Sequence, residues 1–301
     1  MIVKPASIKI YSISSPLFKE KEIELLVARL DLIHPIVSGN KLFKLHYFIE
    51  AAKSANKSTI VTLGGAYSNH LAATAYHCRS VGLKSIGLVR GELPAKISHT
   101  LLTCEDNGMQ LIFLDRKEYP FINEDWIAKL LNTSPAQFAF IPEGGYHPLG
   151  ANGASMIMTE LNELNATHIC TAVGTATTLA GIISSSNDDT KIIAVPVLKG
   201  MTDIEKRISF LLNNKPYNKP LILNEYHFGG YAKKSEPLIQ FMNDFYKDYS
   251  IPTDFVYTGK MMFAIIEKIK TDYFPQRSRI LCLHTGGLQG NASLPEHTLV
   301  F

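Results

Sequence analysis

The chain lacks any pairing pattern among its cysteines. Cys78, Cys104, Cys170 and Cys282 stand far apart, with no CxxC and no metal-ligand spacing. That excludes a disulfide scaffold and reads as reduced, mostly buried thiols of a cytoplasmic protein. A surplus of one charge is lacking too: the formal net charge is +3 and Lys and Arg form no cluster. Nucleic-acid and membrane-surface roles therefore have no electrostatic basis. No uncharged apolar run reaches the roughly 18 residues of a membrane span. The opening MIVKPASIKIYS has a charge and a proline but no long apolar stretch, so a secretory signal is not expected. There is no repeat of fixed period, no low-complexity tract and no long linker.

What is present is an ordinary globular composition, 46% hydrophobic and 19% charged over 301 residues. At about 150 residues per domain this length favours two domains. Short apolar, β-rich runs alternate with helical patterns. Strands are predicted over Glu24–Arg29, Thr59–Leu63, Ser85–Val89, Gln110–Leu114, Phe138–Ile141, His168–Val173, Lys191–Val195, Leu221–Asn224, Asp254–Val256 and Arg279–Leu283. Helices are predicted over Lys41–Ser54, His70–Val81, Ala95–Asn107, Glu124–Leu131, Gly150–Leu164, Thr177–Ser185, Thr202–Leu212, Ser235–Asp248 and Lys260–Thr271. Leu42, Leu45, Ile49 and Ala52 share one helical face, as do Phe263, Ile266 and Ile269. The strands read as apolar runs rather than clean alternation, which suits a parallel sheet covered on both faces. The fold class is α/β.

Four segments place glycines or hydroxyls where a strand gives way to a helix, the position at which open α/β sheets build ligand sites. Ser38-Gly39-Asn40-Lys41 turns into a helix whose first residue is a lysine, and the positive end of the helix dipole there favours the neutral amine. Gly64-Gly65-Ala66-Tyr67-Ser68-Asn69-His70 lets backbone approach a ligand closely and offers polar side chains to it. In Gly174-Thr175-Ala176-Thr177-Thr178, followed by Leu179-Ala180-Gly181, amides and hydroxyls could hold a phosphate. It is neither a P-loop nor GxGxxG. His284-Thr285-Gly286-Gly287 follows the last strand, and His284 reads as a packed or surface histidine. Glu143-Gly144-Gly145 and His227-Phe228-Gly229-Gly230-Tyr231 are further loops able to line the same cleft. Plainer roles are open to the first three: a solvated lysine in a first turn, an N-cap at Ser68 or Asn69, and a tight strand–helix turn at 173–181.

As an ordered set, Gly39-Asn40-Lys41, Gly-Gly-x-x-Ser-Asn-His, Gly-Thr-Ala-Thr-Thr-x-Ala-Gly and His-Thr-Gly-Gly resemble one family. It is the pyridoxal-phosphate (PLP) dependent family of D-cysteine desulfhydrase and 1-aminocyclopropane-1-carboxylate (ACC) deaminase. The match runs from about Asp31 to Gly287. It implies a two-domain, three-layer α/β/α fold of the tryptophan synthase β-subunit kind (fold type II). A large PLP-binding domain would comprise 1–47 plus 149–301, and a small α/β domain 48–148. By position, Lys41 would carry the cofactor as a Schiff base and Asn69 would bond its 3′-oxygen. Gly174, Thr175, Ala176, Thr177 and Thr178 would cradle its phosphate, and Thr285 would face the ring nitrogen. Ser68 would touch the substrate carboxylate or serve as the nucleophile proposed for the deaminase, and Tyr67, Asn69 and His70 would join it in binding substrate. Tyr231 and Tyr257 match active-site tyrosines. The chain departs from the pattern at Tyr67, where the family carries glutamine. A homodimer acting on a small amino acid is implied, with no nucleic acid, membrane or metal.

The deaminases have Glu where this chain has Thr258 and Leu where it has Thr285, so both positions match the desulfhydrases, and the resemblance implies that both threonines contact the cofactor. A neutral hydroxyl at the ring nitrogen does not hold it protonated as a carboxylate would, which favours β-elimination to pyruvate and ammonia. The alternatives are ACC ring opening to 2-oxobutanoate, a β-replacement synthase, and a cofactor-free ligand-binding module on the same fold.

Overall fold

The computed structural model describes residues 7–34, 37 and 39–301. Ser38 and the first six residues, both part of segments read above, lie outside the described residues. In chain order the elements are β1 (Lys9–Ile13), α1 (Pro16–Glu20), β2 (Glu24–Arg29), α2 (Lys41–Ser54), β3 (Thr59–Gly64), α3 (Asn69–Ser80), β4 (Lys84–Arg90), α4 (His99–Asp106) and β5 (Met109–Leu114). There follow α5 (Glu124–Leu130), β6 (Phe138–Ile141), α6 (Pro148–Ser155), α7 (Met158–Leu161), β7 (His168–Val173), α8 (Thr177–Ser185) and β8 (Lys191–Pro196). The last are α9 (Ile204–Leu211), β9 (Leu221–Ile222), α10 (Glu236–Tyr249), α11 (Thr258–Lys270) and β10 (Arg279–His284).

The strands form a six-stranded sheet in the order β1-β2-β10-β7-β8-β9 and a four-stranded sheet in the order β5-β4-β3-β6. Only the β1–β2 pair is antiparallel among the described strands. Successive side chains explain why the central strands read as unbroken apolar runs. Leu26, Ala28, Ile169, Val173, Leu281 and Leu283 pack under α2, α6, α8 and α9. Their neighbours Leu25, Val27, Cys170, Ala172, Ile280 and Cys282 pack under α1, α10 and α11. All four cysteines are buried and free.

β10 lies between β2 and β7, and β8 and β9 continue on the other side of β7. The chain order therefore reverses between β7 and β10, and a crevice opens beyond their carboxyl ends. Three helices bring their backbones together beside it. A Cβ at Gly153 of α6 would lie 2.1 Å from the Phe43 carbonyl of α2, and one at Gly181 of α8 would lie 2.5 Å from the Ala151 carbonyl of α6. Any side chain there would push apart the two helices that begin at the site.

Two elements fall where none was predicted, and one predicted strand is absent. β1 is a mostly exposed edge strand, which leaves no apolar run to read. α1 has five residues, too few for a periodicity, although Ser15 caps it by accepting from Phe18 N. Asp254–Val256 is a loop; the predicted helix at 95–107 starts only at His99, and that at 150–164 divides into α6 and α7.

His77 of α3 is fully buried, and neither ring nitrogen has a hydrogen-bond partner among the described residues. Burial pushes its pKa down to about 4, with the nearby His46 and His34 adding like charge. The folded chain keeps this ring neutral, whereas the unfolded chain protonates it near 6.5. Its contribution to stability is therefore complete above about pH 6.5 and declines as pH falls toward 4. Urea unfolding at pH 7.5 and pH 5 should show His77→Leu losing less stability on acidification than wild type, by about 1–2 kcal/mol.

Candidate functional site

A cleft of about 530 Å³ opens at the crevice, between the ends of β7 and β10 on one side and the 65–70 turn after β3 on the other. Lys41 reaches it as the first residue of α2. The turn before it is pinned to the end of β10. Gly39 N donates to the Leu30 carbonyl at 2.8 Å, and Asn40 N donates to the Thr285 carbonyl at 3.2 Å. Gly39 has φ +77°, and a Cβ there would sit 2.0 Å from the Thr285 oxygen, so only glycine fits. Lys41 Nζ donates to Asn40 Oδ1 at 2.8 Å, and Asn40 Nδ2 donates to Thr178 Oγ1 at 2.7 Å. One amide thus joins the amine to the hydroxyl-rich turn.

Burial pushes the Lys41 amine down to about 8, against the opposing pull of the Asp254 charge. At neutral pH a usable fraction of this lysine is therefore an uncharged nucleophile and base, which an ordinary lysine is not. Lys44, three residues on and on the same face, is buried, and its Nζ donates to the Gly144 carbonyl at 3.0 Å. Burial, and then the Lys41 charge, lower its pKa further still.

The 174–178 turn has the features of an anion cradle. Ala176 takes a left-handed φ of +66° to start α8 with its first amides free. The hydroxyls of Thr175 and Thr177 lie 2.9 Å apart, and a Cβ at Gly144 would come 3.0 Å from Thr175, which brings the Lys44 partner loop against the turn. Gly174 leaves room for the Tyr257 ring, 3.2 Å from where its Cβ would be.

On the facing side Ser68 lines the cleft and at the same time caps α3, its Oγ accepting from Leu71 N at 3.3 Å. Asn69 Oδ1 is buried with no partner among the described residues, as expected of a group that awaits a ligand. His70 forms part of the cleft floor. Thr62 Oγ1 donates to the Ile141 carbonyl, so it accepts from His70 Nε2 at 2.9 Å. Burial, with Lys41 and Lys44 nearby, holds the ring neutral at a pKa of about 3. Tyr67 is 44% exposed at the mouth and leans on His99 at 6.0 Å. Tyr231 meets Tyr257 edge to face at 6.0 Å, and desolvation raises both phenol pKa values.

The structure thus brings into one cleft Lys41, Tyr67, Ser68, Asn69, His70, Gly174, Thr175, Ala176, Thr177, Thr178, Tyr231, Tyr257 and Thr285. Thr258, expected at the cofactor, is the exception. It is fully buried, with its hydroxyl bonded to Asp254 Oδ1 at 2.7 Å, and it does not line the cleft. His284 is packed as read: it is buried, with Nε2 donating to the Pro252 carbonyl at 2.7 Å and Nδ1 at 3.1 Å from Asp31.

The lining residues that the sequence did not mark include the bridging Asn40 and the charged Lys44, Arg90, Arg207 and Asp254. The spacing of Lys44 from Lys41 was a usable signal for a shared face. Asp254 gave none, because its role arises from the loop it organises. Its carboxylate accepts from the amides of Val256, Tyr257 and Thr258 at 2.8–2.9 Å.

The amide and hydroxyl turn and the depressed lysine together suit a phosphate-bearing aldehyde. Among the described residues no His, Cys, Asp or Glu cluster could hold a metal ion. Comparison with known proteins agrees with that chemistry. A chain from Thermotoga maritima named "Putative 1-aminocyclopropane-1-carboxylate deaminase" is 28% identical, the alignment covering 88% of this chain and 89% of that one. A chain of the same name from Pyrococcus horikoshii is 27% identical, covering 90% and 87%. A crystal structure described as an ACC deaminase homologue superposes with a TM-score of 0.80 at 24% identity, covering 95% of this chain and 91% of that one, and shows the same fold. The family model for pyridoxal-phosphate dependent enzymes matches residues 13–286. The chain belongs to the pyridoxal-phosphate dependent enzyme family.

Proposed function

We propose that the protein eliminates a β-substituent from a small amino acid of the D-cysteine kind, releasing pyruvate and ammonia. The observation that carries this is the meeting, in one cleft, of the depressed Lys41 amine and the 174–178 turn, bridged by Asn40. When bound, the cofactor supplies an electron sink conjugated to the substrate Cα.

The chain's own residues divide the remaining work. Lys41 would be the residue that holds the cofactor, and its amine would take the Cα proton as general base. The α8 amides, the hydroxyls of Thr175, Thr177 and Thr178, and the Lys44 ammonium hold the phosphate. Asn69 donates to the ring oxygen, and Ser68 with the neighbouring amides holds the substrate carboxylate. Tyr231 and Tyr257 cover the reacting carbon on the open side. Thr285 would face the ring nitrogen with a neutral hydroxyl, which would not hold that nitrogen protonated and so favours loss of the thiol as leaving group. The nearby Asp254 carboxylate is already occupied by four protein donors and does not take over that contact. With Thr258 turned away from the cleft, the preference for elimination rests on Thr285. Division into residues 48–148 and the rest of the chain is supported by the four-stranded sheet, drawn only from residues between 59 and 141. A cytoplasmic homodimer belongs to the same proposal.

A second reading is ring opening of ACC, favoured by the names of the relatives. That substrate has no hydrogen on Cα for Lys41 to remove, so Ser68 or a tyrosine would have to act at a ring carbon.

The cofactor-loaded protein should form pyruvate from D-cysteine and β-chloro-D-alanine. Formation of 2-oxobutanoate from ACC, with no pyruvate from those two, would replace the first reading by the second. Lys41→Ala should lose the yellow band that borohydride removes and lower kcat by at least about 10³-fold. Cofactor-free wild type should attach added cofactor faster as pH rises, with a midpoint near 8, because only the neutral amine attacks. A rate that is flat between pH 6.5 and 9 would show that the Lys41 amine is not the titrating group.

A further inference from the structure

Lys260 is a buried cation with no part in the chemistry described above. It sits in the first turn of α11, is fully buried and does not line the cleft. Its Nζ donates to the His227 carbonyl at 2.9 Å and the Gly230 carbonyl at 2.7 Å. Both acceptors belong to the loop that delivers Tyr231. Asp254 is the opposing charge that favours the protonated amine against burial, and the same carboxylate organises the start of α11.

The loop needs such a fastening. Phe228, Gly229, Gly230 and Ala232 all have positive φ, at 50°, 88°, 122° and 52°, and two of these are not glycine. A run of that kind persists only where the surroundings over-determine it. Two contacts tie it down on the α11 side: the Phe228 ring against Phe263 at 4.9 Å, edge to face, and the Lys260 ammonium. Tyr231 itself is 47% exposed, and its ring rests on Tyr257. Its hydroxyl also bonds that of Tyr257.

We propose that Lys260 is a positioning residue. By clamping residues 227–230 onto α11 it sets Tyr231 against Tyr257, so that one helix start aligns both tyrosines. The functional part of this statement rests on the reading that Tyr231 faces the substrate; the mechanical part does not.

Two measurements test it on the cofactor-loaded protein. Lys233 and Lys234 are exposed just beyond the clamped loop, so trypsin reports its release without any substrate. Lys260→Met should be cut there roughly ten-fold faster than wild type, because the loop opens locally while the fold holds. It should also weaken the amino-acid-induced change in cofactor absorbance and lower kcat/KM roughly 30-fold, with the cofactor band itself intact. In a cycle with Tyr231→Phe the double variant should be no worse than the poorer single variant, since both act through one ring. Wild-type cleavage, or fold-losses that multiply, would overturn the clamp. If Lys260→Met does not fold, Gly230→Ala perturbs the surface loop from its own side. It should reproduce the faster cleavage and the weaker amino-acid response, and wild-type behaviour in it would equally overturn the proposal. Failure to make pyruvate would count against the elimination reading alone, since cleavage and absorbance do not depend on it.

Discussion

Two backbones touch at the centre of this molecule, and the site follows from that contact. The Gly39 turn lies so close to the Thr285 carbonyl that a single carbon at Cβ would collide with it at 2.0 Å. The contact locks the start of α2 to the end of β10, at the crevice where strand order reverses. Lys41 and Thr285 therefore hold a fixed separation. The approach of α6 to α2 and α8 through Gly153 and Gly181 extends this rigidity to the phosphate turn. Small residues serve here as spacers of fixed length, in keeping with a reaction that tolerates little error in the distance between base and substrate.

Electrostatics then works on the frame that packing supplies. Desolvation lowers the pKa of Lys41, Lys44 and Lys260, and the Asp254 charge opposes it at Lys41 and Lys260. Asp254 is tolerated in the interior because four donors satisfy its oxygens. One carboxylate thereby organises the start of α11, holds Thr258, and acts as counter-charge to both Lys41 and Lys260. The like charge of Lys41 beside Lys44 has the opposite effect and adds to the desolvation that disfavours the ammonium of that second amine.

Most strands were legible because both sheet faces are covered, which turns alternation into apolar runs. β2, β6 and β7 begin and end where the residues predicted. The failures share a cause. Asp254–Val256 is as buried as a strand, yet its three amides bond to the side chains of Thr258, Asn291 and Asp254 and not to a neighbouring strand, and composition does not distinguish these partners. Thr258 was assigned to the cofactor by its place next to Tyr257, but in the first turn of a helix adjacent residues diverge, and this hydroxyl faces inward. β1 pairs at an edge and buries only Ile13 fully, so it carries no apolar run.

The amino-acid order by itself determined the α/β alternation, the positions of the glycine- and hydroxyl-bearing turns, and Lys41 as the amine at a helix start. These are local matters of period, turn chemistry and capping, decided within a few residues. Only the tertiary structure decided that turns some 135 residues apart share one cleft, that Asn40 bridges amine and hydroxyl, that Asp254 is the common counter-charge, and that Lys260 fastens the Tyr231 loop. Those depend on strand order and burial, which set the distance between remote groups and the dielectric around them, and neither quantity is a property of any short stretch of chain.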